Sequence, residues 1–250
     1  MDNVLYVGLS RQMVLQHEIE VIANNVANVD TTGFKVEGLM VQTDPEKVKG
    51  SLGGGGSPLN NSVNFPLDAG VVRDFSQGEL KRTGAALDVG IQGDGFFKVQ
   101  TANGERYTRD GAFTMDDQGR IVTAAGDPVQ GDGGDITLDP KKGQPSISAD
   151  GTVSQQGTVV GKIALVNFDS LSALTKQGSG LFSNDTNLQT TTATGKIRQG
   201  VLEQSNVQPI LQITRLIQVS RAYENVSNMM DQNSQLSTNA IDRLGKLSSN

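Results

Sequence analysis

The chain holds one histidine and no cysteine, which narrows its chemistry at once. His17 stands between Gln16 and Glu18 in a helical stretch. A general base needs a partner and a pocket. The neighbouring sequence supplies neither, so His17 reads as an exposed helix residue. Without Cys or a second His, Zn sites built from two or more such ligands are excluded, as are disulfides and thiolate nucleophiles. Gly157–Lys162 (GTVVGK) is too short for a phosphate loop and carries Ile163 where a Ser or Thr is required. Gly90–Gly95 (GIQGDG) precedes a strand pattern rather than a helix, so it offers no helix N-terminus to a pyrophosphate. The acidic pairs Asp116/Asp117 and Asp132/Asp135 have the residue types of a glycosidase or a Ca²⁺ site. They lack EF-hand spacing, and Asp beside Gly in a β protein is turn chemistry. These residues point to no catalytic site, no metal and no cofactor; a secreted carbohydrate-acting β protein is the enzyme-like alternative that the acidic turns leave open.

Composition sets the frame for the elements that remain. At 250 residues the chain can form one domain or two small ones. Its hydrophobic fraction of 36% and aromatic fraction of 4%, with no Trp, predict a thin core of Val, Ile and Leu. A net charge of −6 argues against nucleic acid, which needs a basic stripe. The N-terminus has no basic segment leading into an apolar core, so no cleaved secretory signal is expected. No run of about 18 apolar residues is present, so membrane insertion is not expected either.

Helical periodicity is confined to the two ends. Residues 3–28 form a first helix, with Asn3 as cap and Leu5, Leu9, Leu15, Ile19, Ile22 and Val26 as its apolar stripe. Residues 209–247 form the last, with Asn206 as cap and Pro209 in the first turn. There Val219, Ala222, Val226, Met229, Asn233, Leu236, Ala240 and Leu247 follow a 3-4 repeat, while Ile210, Ile213 and Ile217 run in a different phase. Such a seam suggests coiled-coil-like packing, with Asn233 fixing register. Neither stripe can be buried by its own helix. Periodicity does not separate pairing within the chain from packing between subunits, and polar faces of mixed sign do not suggest a membrane-surface helix. Between the helices, Asn103-Gly104, Asp116–Gly119 and Asp150-Gly151 each join two short β patterns, predicting three hairpins. Residues 162–168 (KIALVNF) read as one buried central strand. The expected organisation is a helix over 1–28, an extended connector with the Gly53–Gly56 loop over 29–66, a β domain over 67–190, a connector over 191–208, and a helix over 209–250. The fold class is α+β: a coiled-coil-like α-domain made by the termini, and a central antiparallel β domain, barrel- or sandwich-like.

Residues 22–35 (IANNVANVDTTGFK) resemble the N-terminal signature of the flagellar rod and hook family of axial proteins. GVLEQSNVQPI at 200–210 and LIQVSRAYENVSNMMDQNSQL at 216–236 resemble its closing helix. The central blocks LDVGIQGDGFFKVQ at 87–100 and YTRDGAFTMDDQGRIVTAAGDPV at 107–129 are similar to the subset that holds the hook protein and the larger rod proteins. The resemblance implies a non-enzymatic component of the basal-body rod, exported through the flagellar type III apparatus without a cleaved signal. It implies terminal helices that are disordered in the free subunit and pack in a tube around the export channel, with the β domain outside. Its partners would be copies of itself and other rod proteins, proximal and distal. The two helical stripes, Ile213, and Gly33 and Phe34 after the first helix would then form the assembly interface, Gly33 at positive φ and Phe34 as an anchor. Removal of residues 1–35 is expected to leave a folded β domain.

Overall fold

The computed structural model describes residues 2–47, 62–178, 180–186 and 188–247; the Gly53–Gly56 stretch lies outside them. The fold is mixed α+β, with one long helix at each end and short strands between. The chain divides into a helical unit of residues 1–26, 37–72 and 208–250, and a β unit of residues 27–36 and 73–207.

In the helical unit, α1 spans Asp2–Ala27 and α2 spans Pro209–Leu247. Helix α1 already runs through Asn3, which therefore is not its cap. Pro209 opens α2, where its missing N–H is no loss. The helices pack through Leu15, Ile22 and Val219, with Ile19, Val26, Leu216, Ala222, Tyr223 and Val226 partly buried around them. Burying each such aliphatic side chain contributes about 1.5–3 kcal/mol. Val14 and Val21 are buried too, a second row that the sequence stripe misses. Strands Glu37–Lys47 and Ser62–Arg73 pair beside the helices as a two-stranded arm of the same unit.

The expected seam on α2 is real in its first half and lost in its second. Val219 is buried and Ala222 and Val226 are partly so, but Met229 is 64% and Leu236 68% exposed. A straight helix drifts by about 20° per heptad from a 3.5-residue repeat. The set Ala222, Met229, Leu236 therefore slides from the flank of the contact to its outside. Met230 takes the inward position in its place, over Gly8.

The β unit is built on a six-stranded antiparallel sheet in the order Thr175–Lys176, Leu181–Ser183, Gly104–Thr108, Phe96–Thr101, Leu165–Phe168, Thr190–Thr192. The three expected hairpins form, with registers Thr101↔Gly104, Met115↔Ile121 and Ile147↔Val153. Period-two alternation sends Phe96 and Phe97 into different cores. Phe97 joins an aliphatic core with Val89, Ile91, Ile121, Ile136, Val153 and Ile163. Phe96 joins an aromatic one with Tyr107, Phe168, Leu174 and Phe182, whose rings meet edge to face at 4.8–6.0 Å. Aromatic residues are few, yet they are concentrated, so this part of the core is not the Val/Ile/Leu core that composition predicts.

Two readings of the middle change. Residues 162–168 are not one strand: Thr158–Lys162 belongs to a three-stranded sheet and Leu165–Phe168 to the six-stranded one. The chain changes sheets at Ile163, whose N–H donates to Gly151 O and whose side chain enters the aliphatic core. The expected connector over 191–208 is largely strand as well. Lys196–Gln199 pairs with Val89–Gln92, and Val201–Glu203 with Leu80–Arg82.

Candidate assembly interface

The residues after α1 are seated inside the β unit by a closed set of bonds. Gly33 has φ of 67° and its N–H donates to Glu203 O at 2.8 Å. A Cβ on it would lie 2.5 Å from the Arg109 carbonyl carbon, so glycine is required here for space as well as for φ. Phe34 is buried, with the Lys176 ammonium 4.6 Å from its ring centroid. Val36 N–H donates to Asn206 Oδ1 at 2.7 Å, and Asn206 Nδ2 donates to Asp74 O at 2.9 Å. Asn206 thus holds two backbone segments in the β unit instead of capping α2.

At the centre of this seat lies a buried triad. Lys35 Nζ donates to Glu203 Oε1 at 2.7 Å and to Ser76 O at 2.7 Å. Arg109 Nη1 donates to Glu203 Oε2 at 3.3 Å and to Gly93 O at 2.9 Å. Gly78 N–H adds a further donor to Glu203. All three side chains are at most 3% exposed. Burial pushes the Lys35 ammonium down from its ordinary 10.5, with Glu203 pulling the other way, and Arg109 is pulled down by burial likewise. Two cations on one carboxylate, out of water, form an arrangement in which every member needs the others. It has the character of a structural lock, with no open pocket or unpaired nucleophile beside it.

None of these three charges stands out locally in the sequence, because Lys35 and Glu203 are 168 residues apart and Arg109 and Glu203 are 94 apart. Each does fall in a different one of the three family-like segments: Lys35 in 22–35, Arg109 in 107–129 and Glu203 in 200–210. That coincidence is the signal that could have found them.

The helical unit has its own polar tie. Buried Asn25 accepts from Glu37 N–H at 2.9 Å, donates to Glu37 O at 2.7 Å, and lies 3.4 Å from Gln212 on α2. Its amide satisfies both backbone groups of the first arm residue. His17 does have a partner, 51 residues away: its Nδ1 bonds Asp68 on the arm. Arg215 on α2 meets Glu18 on α1 at 3.0 Å.

The expected interface residues therefore separate. Leu15, Ile22 and Val219 are consumed within the chain, and Ile19, Val26, Ala222 and Val226 pack around them. Gly33 and Phe34 are enclosed in the β unit, where they anchor the chain and present no surface to a neighbour. Leu5, Leu9, Ile213, Met229 and Leu236 stay exposed, and Asn233 is half-buried beside Leu5. The Ala240 side chain lies outside the described residues. The acidic turns are occupied by local bonds: Asp116 accepts from the Gln118 and Arg120 N–H groups and pairs with the Arg120 side chain at 2.8 Å.

Long terminal helices with unspent apolar surface, joined to a β unit closed by its own ion triad, describe an assembling structural subunit of the axial type. Three family models match in chain order: the flagella basal body rod protein model over 5–35, the flagellar hook protein FlgE/F/G D1 domain over 90–155, and the flagellar basal body rod FlgEFG protein C-terminal model over 198–243. The flagellar basal-body rod protein FlgF of Caulobacter vibrioides is 51% identical over 249 residues, 99% of this chain and 100% of the relative. That of Mesorhizobium japonicum is 39% identical over 251 residues, with the same coverage. FlgG of Bacillus subtilis is 32% identical, covering 90% of this chain and 93% of the relative. The chain belongs to the FlgF family of flagellar basal-body rod proteins. It is a structural subunit of that rod, located in the flagellar basal body and assembled there with other rod components.

Proposed function

We propose that this subunit polymerises through its terminal helices, with copies of itself and with proximal and distal rod proteins, into the shaft that carries torque from motor to hook. In this reading the helices pack coiled-coil-like around the export channel, the β domain lies outside, and the chain travels through the flagellar type III apparatus with its N-terminus uncleaved. The interface is the set of exposed stripe residues: Leu5, Leu9, Ile213, Met229 and Leu236, with Asn233 and Ala240 on the same helix. One observation carries the reading: the helices bury only a short knot around Leu15, Ile22 and Val219 against each other, while large apolar side chains beyond it face water. Association supplies the burial that the single chain lacks, and unlike surfaces that do not close on themselves give a filament.

The test is truncation at the right place. Removing residues 1–26 spares Gly33–Lys35 and is expected to leave a folded β unit that no longer enters the rod. Motility supported by that truncated chain would overturn the reading. Removing residues 1–35 is a poorer experiment, because it also strips Glu203 of Lys35 and unseats the β unit.

A further inference from the structure

We propose that the groove at the outer end of the helix pair receives the Ile210–Ile213–Ile217 ridge of a second copy of this chain, head to tail. The inference rests on assembly through the helices and adds the partner surface and its polarity.

The groove is a cavity of about 310 Å³ lined by Leu5 and Gly8 of α1 and by Met229, Met230, Asn233 and Leu236 of α2 among others. Gly8 forms its floor: a Cβ there would lie 3.1 Å from Met230 Cγ, so α1 contributes no side chain to fill the space. None of the described lining residues is charged. The ridge is equally neutral. Ile210, Ile213 and Ile217 share one face at i, i+3, i+7, and Ile210 is 82% exposed. At roughly 100° per residue, Ile210 lies on the side of α2 opposite Val219, turned away from α1. The one charge within that stretch, Arg215, is held by Glu18. In a chain of net charge −6, two uncharged apolar surfaces are places where copies meet without repulsion.

Shape and spacing agree with this pairing. Branched Ile side chains are stiff knobs, whereas Met229 and Met230 are unbranched and adapt to what enters between them. Ile213 and Met229 are sixteen residues apart, roughly 24 Å along the helix, so one copy engages both surfaces at once. Because ridge and groove differ, their contact is heterologous and propagates instead of closing as a two-fold dimer.

The absence of native Cys makes the test clean. Full-length I213C and M229C chains carrying different tags are co-produced in cells lacking the native copy, and basal bodies are isolated and oxidised. The expected result is a mixed I213C–M229C disulfide at least tenfold above the dimer from either variant alone. Homodimers of M229C, or rods containing both variants without the mixed product, would overturn the groove assignment while leaving the rod reading intact. Absence of the parent chain from isolated rods would overturn the rod reading itself. A second measurement covers variants that fail to incorporate: I213D and M229D should each block entry into the rod, and I213V and M229L should retain it. Normal incorporation of both Asp variants would also overturn the proposal.

Discussion

The β unit and the helical unit solve opposite problems with the same small stock of apolar residues. The β unit turns its Phe residues and its aliphatic side chains inward and even encloses two cations and a carboxylate. The helical unit leaves Tyr6, Met13, Met229, Leu236 and Ile210 in water although it has two long helices to cover them. The first is finished as a single chain. The second holds its own shape only where Leu15, Ile22 and Val219 meet, and beyond that offers surface. A terminal helix is thus an anchor at one point and an adhesive along the rest.

Four experiments break or sharpen this contrast. E203Q should cause the largest loss, about 3–5 kcal/mol of β-unit stability, because it leaves Lys35 and Arg109 buried against a neutral amide; urea unfolding followed by near-ultraviolet circular dichroism reads it. L15A should cost about 2–5 kcal/mol in the helical unit, read as a lowered midpoint at 222 nm with the near-ultraviolet transition unmoved. M229A should change the stability of the single chain by no more than about 0.5 kcal/mol yet reduce rod incorporation. If M229A matched L15A in the free chain, the division of α2 into anchor and surface would be wrong. The smallest effect concerns Asp68, whose carboxyl is held below the usual 3.8 by the Gly70 N–H and further by His17. A depressed folded value means its contribution is present above the unfolded value and fades as pH falls through the folded one. Acid titration of the unfolding midpoint should therefore be slightly flatter in D68N than in the parent.

Much of this was legible in the sequence where the cause is local. Helical periodicity located both helices, and Asn103-Gly104 and Asp150-Gly151 placed their hairpins, because turn chemistry and side-chain period act within a few residues. The α2 seam was legible only until helical drift carried Met229 and Leu236 off the contact. The triad was hidden because a lysine, an arginine and a glutamate far apart in sequence carry no mark of being buried together. His17 was misread for the same reason, its partner lying 51 residues on. Asn206 looked like a helix cap because capping and bridging use the same side-chain amide.

The triad also dictates an order of events. A chain that emerges N-terminus first presents Lys35 long before Glu203, 168 residues later, exists outside to neutralise it. The strand that carries Glu203 must arrive before Gly33 and Lys35 can dock, and contacts of such sequence separation form late because loop-closure entropy is met before they reward it. The β unit is therefore a lock whose last part is made near the end of the polypeptide, and any incompletely delivered chain remains open and unfinished at its N-terminal seat.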